Sequence, residues 1–338
     1  MSVTDATVTD TQELCLPTPG TFWFGIHPPD PYHRSEMDIT PSSIQSITRT
    51  IGKTPAIITF SHEWGINQSF PSLQFSYIHS TGATPWVRLM LRTEIIQNIP
   101  EPVFTLNRII NGAYDEALRS WAQKVRELQY PVIIEYGTEV NGKWFSWNGY
   151  WTGNEQGPKK FQEAYRHIHR LMDNENATNL IWVYHVNWHN NPEEPWNTVA
   201  AYYPGDDYVD IFGISVYGAL GPNKTEVLPF FIMMNQSYNE VMAINSSKPV
   251  IIAEIGTDIH NQEMDPVTWM TDAVTNLTDN TWPKIIGLVW WNSEWPNDLV
   301  PAHNTSMRIE DDSRLQSFFW SFIGENPHFL NKTNLFCI

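Results

Sequence analysis

Residues 131–147 read PVIIEYGTEVNGKWFSW. Pro131 to Tyr136 form a short run of β-branched and aromatic residues between a proline and a glycine, which is a strand signal. The run is apolar almost throughout rather than alternating, so it is expected to be buried on both faces, as strands of a parallel sheet are. It runs out into a polar turn, Asn141-Gly142, that carries one carboxylate, Glu139. Trp144, Phe145 and Trp147 follow, with Tyr150 and Trp151 just beyond. Rings that dense among Asn, Gly, Lys and Ser need either a core or a flat ligand to cover them.

Seven more runs share this character: 22–26, 56–60, 86–90, 180–184, 211–216, 250–253 and 285–290. Helical spacing of apolar residues falls between them, over 41–50, 69–80, 113–128, 159–173, 228–244, 266–278 and 313–323. The strand starts lie roughly 30–50 residues apart, which suits parallel strands joined by crossover helices. Eight such units predict an α/β protein, a (β/α)8 TIM barrel in a single domain. An open doubly wound sheet is disfavoured because no GxGxxG or GxxxxGK[ST] follows the early strands. No linker or repeat divides the chain. The barrel is expected over 20–338, after a polar lead-in, 1–19, that is extended or disordered.

Hydrophobic residues make up 41% of the 338, enough for a large core, and the formal net charge is −17. An acidic chain without Lys/Arg clusters excludes nucleic acid and anionic membrane surfaces as partners. No stretch is long and apolar enough to span a bilayer. Sixteen tryptophans beside many Asn, Asp and Glu point to sugars, which offer flat apolar faces and hydroxyl edges. A neutral polysaccharide or oligosaccharide is the expected partner of a monomeric chain. The two cysteines, Cys15 and Cys337, make no metal cluster and no CxxC motif. In a closed barrel they could be bridged or remain free thiols. Sequons at Asn67, Asn176, Asn223, Asn235, Asn245, Asn276, Asn304 and Asn331 suggest an extracellular or cell-surface glycoprotein. No signal-type segment opens the sequence, so one is expected to have been removed.

Barrel active sites lie at the C-terminal ends of the strands. Glu139 and Glu254 stand out there, each at the end of a buried run and each before a small-residue turn. From strands 4 and 7 their side chains can approach to about 5–5.5 Å, the separation a retaining glycosidase needs for one acid/base and one nucleophile. His62, His185, His189 and His260 match no metal-ligand spacing, and no metal or cofactor is expected. No GxSxG is present, and neither cysteine lies at a strand end, so acyl transfer lacks a nucleophile. Arg88 is expected to pair with Glu135 or a catalytic carboxylate. Trp144, Trp147, Trp188, Trp291 and Trp295 are candidate sugar platforms; His62, His185, Asn187 and Asn292 are candidate hydroxyl readers. A non-catalytic glycan-binding barrel is the competing class. It would keep the platforms without needing both acids.

Five motifs in order, EVNGKWFSW (139–147), FQEAYRHIHRLM (161–172), NLIWVYHVN (179–187), YYPGDDYVDIFGISVYG (202–218) and KPVIIAEIG (248–256), resemble glycoside hydrolase family 26. The resemblance spans roughly residues 20–325. It implies a retaining (β/α)8 enzyme that cuts β-linked polysaccharide, above all an endo-β-1,4-mannanase, with β-1,3-1,4-glucanase or β-1,3-xylanase as alternatives. It also implies that Glu139 is the acid/base, Glu254 the nucleophile and Tyr217 a hydrogen-bond partner of the nucleophile. Trp144 would wall the acid, and Trp291 would lie under the sugar at the cleavage point. Family mannanases carry a histidine directly before the acid/base and an arginine four residues before it. This chain has Thr138 and Glu135 there, which leaves mannan versus glucan versus xylan open.

Overall fold

The computed structural model describes residues 14–29 and 36–337. Eight parallel strands close into a barrel: β1 (Phe22–His27), β2 (Ile57–Glu63), β3 (Thr84–Met90), β4 (Val132–Tyr136), β5 (Leu180–Asn187), β6 (Ile211–Tyr217), β7 (Val250–Gly256) and β8 (Ile285–Trp291). They pair in sequence order, and β1 pairs with β8 from Trp23↔Gly287 to His27↔Trp291. The expected barrel is therefore observed.

Helices α1 (Pro41–Ile51), α2 (Ser72–Ser80), α3 (Leu106–Ile110), α4 (Asp115–Glu127), α5 (Gly149–Thr152), α6 (Gly157–Asn174), α7 (Phe230–Ile244), α8 (Pro266–Thr278) and α9 (Ser313–Phe319) accompany the strands. Local chemistry sets their ends. Thr40 caps α1 by accepting from the Ser43 backbone N–H, Pro41 fills the first helical position, and Gly52 closes it at φ 78°. Asp265 does the same for α8 by accepting from Thr268. In α6 the residues Phe161, Ala164, Tyr165, Ile168 and Met172 repeat at helical spacing and are all buried. The fifth unit differs: β5 and β6 are joined by two short 3-10 turns (199–202 and 206–208), and helical spacing was also missing there in the sequence.

The strands are buried on both faces, with alternate residues facing the lumen and the helices. Trp23, Ile57, Trp86, Ile133, Ile181, Ile211, Ile251 and Ile286 form a core of their own, which the C-terminal tail plugs with Leu335. Of the predicted lead-in, residues 1–13 lie outside the described residues. Leu14 bridges to Phe336, and Cys15 is disulfide-bonded to Cys337 with Cα atoms 5.2 Å apart. This clasp lies at the N-terminal ends of the strands, where Phe22 pairs with Phe329 of a short added strand. It ties positions 322 residues apart in sequence.

Cross-linking so long a loop restricts the unfolded chain strongly. Cys15→Ser is expected to cost about 2–4 kcal/mol. The fall in Tm should be matched by adding reductant to the wild type, while activity below the transition is retained because the clasp is at the far end of the barrel. An unchanged Tm in both experiments would show that the clasp contributes nothing.

Candidate active site

Toward the C-terminal ends of the strands the lumen positions change from aliphatic to polar. The inward phase of β4 runs from Ile133 to Glu135, that of β5 from Ile181 and Val183 to His185, and that of β6 from Ile211 through Gly213 to Ser215 and Tyr217. Arg88 of β3 follows Trp86 in the same way.

Strand β7 would break this pattern without an irregularity. Ile251 faces the lumen, so strict alternation would send Glu254 toward the helices. Ile214 pairs with Ile252, but Ser215 pairs with Glu254, so Ala253 is an extra residue on β7. The pairing with β8 shifts over the same stretch. The bulge resets the phase and turns Glu254 into the lumen, a use of bulges common beside active sites. Glu139 gets there differently. After β4, Gly137 adopts φ 77°, where a Cβ would lie 2.2 Å from the Phe161 ring, so only glycine fits. Glu139 itself is held at φ 45°, a sparsely populated conformation for a residue with a side chain. Gly142 closes the turn by donating its N–H to the Glu139 carbonyl at 2.8 Å, and a Cβ there would collide with the Trp144 ring.

Both carboxylates are nearly buried, Glu139 at 7% exposure and Glu254 at 5%. Trp144 donates from its indole Nε1 to Glu139 Oε2 at 2.6 Å. Tyr217 donates its hydroxyl to Glu254 Oε2 at 2.6 Å, and Arg88 Nη2 is 3.2 Å from Glu254 Oε1. Burial pushes the Glu254 carboxyl up to about 7; Arg88 opposes this, the nearby Glu139 adds to it, and His185 and the Tyr217 hydroxyl oppose it.

Arg88 reaches two further acids, Glu135 at 3.2 Å and Glu36 at 2.8 Å. Burial works against its charge, but Glu254, Glu36 and Glu135 outweigh that and hold the guanidinium protonated above its ordinary value. The pairing expected for Arg88 is thus present with Glu135 and Glu254 together. Thr138, which follows the strand, donates to Glu135 Oε1 at 2.5 Å. His27 stacks on Trp291 at 4.0 Å between ring centroids, and Arg88 lies over the other part of this stack, 4.7 Å from the Trp291 ring. Burial pulls His27 down to about 4, so it is neutral at ordinary pH.

The other candidates are distributed unevenly. Trp144, Trp188, Trp295 and Tyr217 are partly exposed. Trp147 is 3% exposed, stacks on Phe145 at 4.6 Å and donates its indole N–H to the Thr138 carbonyl. Asn187 and Asn292 brace loops: Asn187 donates to the His189 carbonyl, and Asn292 binds Glu310 and the Ile309 N–H. His62 lies on the outward phase of β2, where Nδ1 accepts from Trp121 of α4 and Nε2 meets the Asn67 carbonyl. Both ring nitrogens of His185 are also engaged, with Glu135 and Ser215. Glu135, His185 and Glu254 bring one donor atom each within 4.8 Å of one another. Arg88 already bridges two of them, so a divalent cation would have to sit against a guanidinium. Glu36, Ser61 and Ser215 are parts of the site that the sequence did not announce. Glu36 comes from the long β1–α1 connection and accepts from both Arg88 and Ser61 Oγ.

The chain is 27% identical to Endoglucanase H of Acetivibrio thermocellus over 193 residues, which cover 56% of this chain and 21% of that protein. It is 27% identical to a mannan endo-1,4-beta-mannosidase of Bacillus subtilis over 179 residues, 51% of this chain and 42% of that protein. A beta-1,3-xylanase of an Alcaligenes species is 24% identical over 246 residues, 68% of this chain and 50% of that protein. The chain thus spans half or less of the length of these relatives. Among solved structures, GH26C from a Muricauda species superposes with a TM-score of 0.65 at 18% identity, covering 92% of this chain and 87% of that one. Bacillus subtilis mannanase man26 gives 0.58 at 19%, covering 82% and 81%. At such identities these two likenesses speak for the fold alone. The model of glycosyl hydrolase family 26 matches residues 42–285, most of the barrel and both carboxylates, and the chain belongs to that family.

Proposed function

We propose that the chain is a retaining β-glycanase and that it cuts β-1,4-mannan internally. The observation that carries the first part is the pair of carboxylates at one barrel mouth with different partners. Glu254, between Arg88 and the Tyr217 hydroxyl, has the environment of a nucleophile that must be an anion. Glu139, on the rim turn and accepting from the Trp144 indole N–H, is the residue we assign as the proton donor.

In the first displacement Glu254 attacks the anomeric carbon while Glu139 protonates the departing glycosidic oxygen. The bond to the leaving sugar breaks, and a glycosyl ester of Glu254 remains. In the second, Glu139 takes a proton from water, the water oxygen attacks the same carbon, and Glu254 leaves as carboxylate. Trp144, Trp188 and Trp295, all partly exposed, are the rings we assign to the sugar faces. The mannan assignment rests on the several mannan endo-1,4-beta-mannosidases among the relatives. Thr138 and Glu135, which differ from family mannanases, favour a second reading in which mixed-linkage β-glucan or β-1,3-xylan is the substrate.

The disulfide supports an extracellular chain, since such bonds persist in oxidising compartments. Of the sequons, Asn67, Asn176, Asn223 and Asn331 are exposed. Intact mass before and after enzymatic deglycosylation of protein secreted by a eukaryotic host tests whether they carry glycans. An unchanged mass removes that part of the proposal.

Glu254→Ala should lower kcat by at least about a thousandfold with the fold intact, since a covalent step is lost. Wild-type turnover in that variant would remove the nucleophile assignment. Glu139→Ala should spare the first step for aryl glycosides with good leaving groups and slow it for polysaccharide. Because attack needs ionised Glu254, kcat/KM should fall as pH drops below about 7. A flat profile from pH 8 to 5 contradicts that. Reducing ends counted over time on mannan, galactomannan, lichenan and β-1,3-xylan decide the substrate. Mannan untouched while lichenan is cleaved would overturn the mannanase assignment in favour of the second reading.

A further inference from the structure

His185 lies on the lumen phase of β5 and is 1% exposed. Its Nδ1 is 2.8 Å from Glu135 Oε2 and its Nε2 is 2.7 Å from Ser215 Oγ. Carboxylate, imidazole and hydroxyl in that order have the outline of a nucleophilic triad. Ser215, however, is fully buried between β5 and β7, so the chain orients the ring and does not activate the hydroxyl. What surrounds the ring is charge: Glu135 of β4, Glu139 of the turn after it and Glu254 of β7, beside the Ser215 hydroxyl of β6, with Arg88 of β3 shared by Glu135 and Glu254 and the Tyr217 hydroxyl bonded to Glu254.

The charges around the lumen do not balance without it. Arg88 is shared by Glu36, Glu135 and Glu254, and its shortest contact, 2.8 Å, is to Glu36 rather than to Glu254. Glu254 Oε1 makes no hydrogen bond despite being buried. One guanidinium against three carboxylates leaves two negative charges uncompensated; a second cation would leave one, and Glu36, 34% exposed, can be left to solvent. Without that second cation, a buried carboxylate takes up a proton instead. The other basic groups nearby are committed. Arg92 is held bidentately by Glu63, and His27 is neutral. His185 has a donor atom within 4.8 Å of both Glu135 and Glu254.

We propose that Glu135 holds His185 as an imidazolium and that this second positive charge keeps Glu254 ionised, which makes His185 a positioning residue for the nucleophile. The idea rests on the assignment of Glu254 above. Burial alone would discharge the ring, but Glu135 first, with Glu254 and Glu139, outweighs burial and raises its affinity for the proton. With both ring N–H groups donating, the Ser215 hydroxyl proton is freed to point elsewhere in the lumen.

Two readouts test this on the full chain. In histidine labelled with ¹⁵N, the His185 signal, assigned by its loss in His185→Gln, should keep an imidazolium signature above the ordinary histidine value of 6.5. It should lose that signature near neutral pH in Glu135→Gln. In His185→Gln, and in His185→Asn should the first variant fold poorly, the acid limb of kcat/KM should move up by about one pH unit or more. The position of the limb, not the height of the plateau, is the readout. A purely structural role would instead lower Tm and scale the whole profile down. A neutral His185 at pH 6 in the wild type, or an unshifted limb in a folded variant, overturns the proposal. If no β-glycan is cleaved by the wild type, the glycanase assignment fails separately. The ¹³C carboxyl titration of Glu254 in wild type and His185→Gln then still decides whether the imidazole sets its ionisation: a shift upheld, none overturned.

Discussion

One guanidinium organises the mouth of this barrel. Arg88 is buried and touches carboxylates from the β1–α1 connection, from β4 and from β7. Glu135 and Glu254, both buried, cannot share a low-dielectric lumen unless a cation is fixed between them. Arginine suits the place because it stays charged and its planar fork can reach several acceptors at once. Its flat face is also used, lying over Trp291, which in turn stacks on His27. The position of Glu254 is therefore a property of three strands and a loop together. Removing any one acid would change the charge felt by the others.

The polar shell around that cation is closed with short-chain hydroxyls. Ser61 donates to Glu36, and Thr138 donates to Glu135. A glutamate and a threonine stand where family mannanases carry an arginine and a histidine, and they are internally consistent: the threonine hydroxyl is short enough to bond the glutamate three residues earlier, and the glutamate takes charge from β3 and β5. The substitution at 135 inverts a charge on β4 while Arg88 supplies a guanidinium one strand away.

Much of this was legible in the sequence. Runs such as Val132–Tyr136 and Val250–Ala253 are apolar on both phases, which only a covered parallel sheet explains, and eight of them name the barrel. Glu254 was visible because it ends such a run, and Glu139 because it lies in the small-residue turn just past one. Other parts depend on phase, which a doubly buried strand conceals. His62 looks equivalent to His185 in sequence, yet one faces the helices and the other the lumen, because apolar runs carry no alternation from which to read a face. The extra residue at Ala253, which turns Glu254 inward, leaves no compositional mark. Glu36 reaches the site through a long connection and has no strand end to announce it. The two cysteines were compatible with a bridge or with free thiols until the tail was seen to plug the barrel floor.

The closure of β1 on β8 has a consequence for how the molecule comes into being. The partner of Phe22–His27 begins only at Ile285, so during synthesis the first strand waits with one side unpaired until nearly the whole barrel exists. An unpaired apolar edge is a template for wrong pairing. Such distant contacts also make folding slow, because the loop between them must be closed before the pairing rewards it. The nascent chain is thus most prone to aggregation just before its last strand arrives, and its yield in a cell depends on how well that interval is protected.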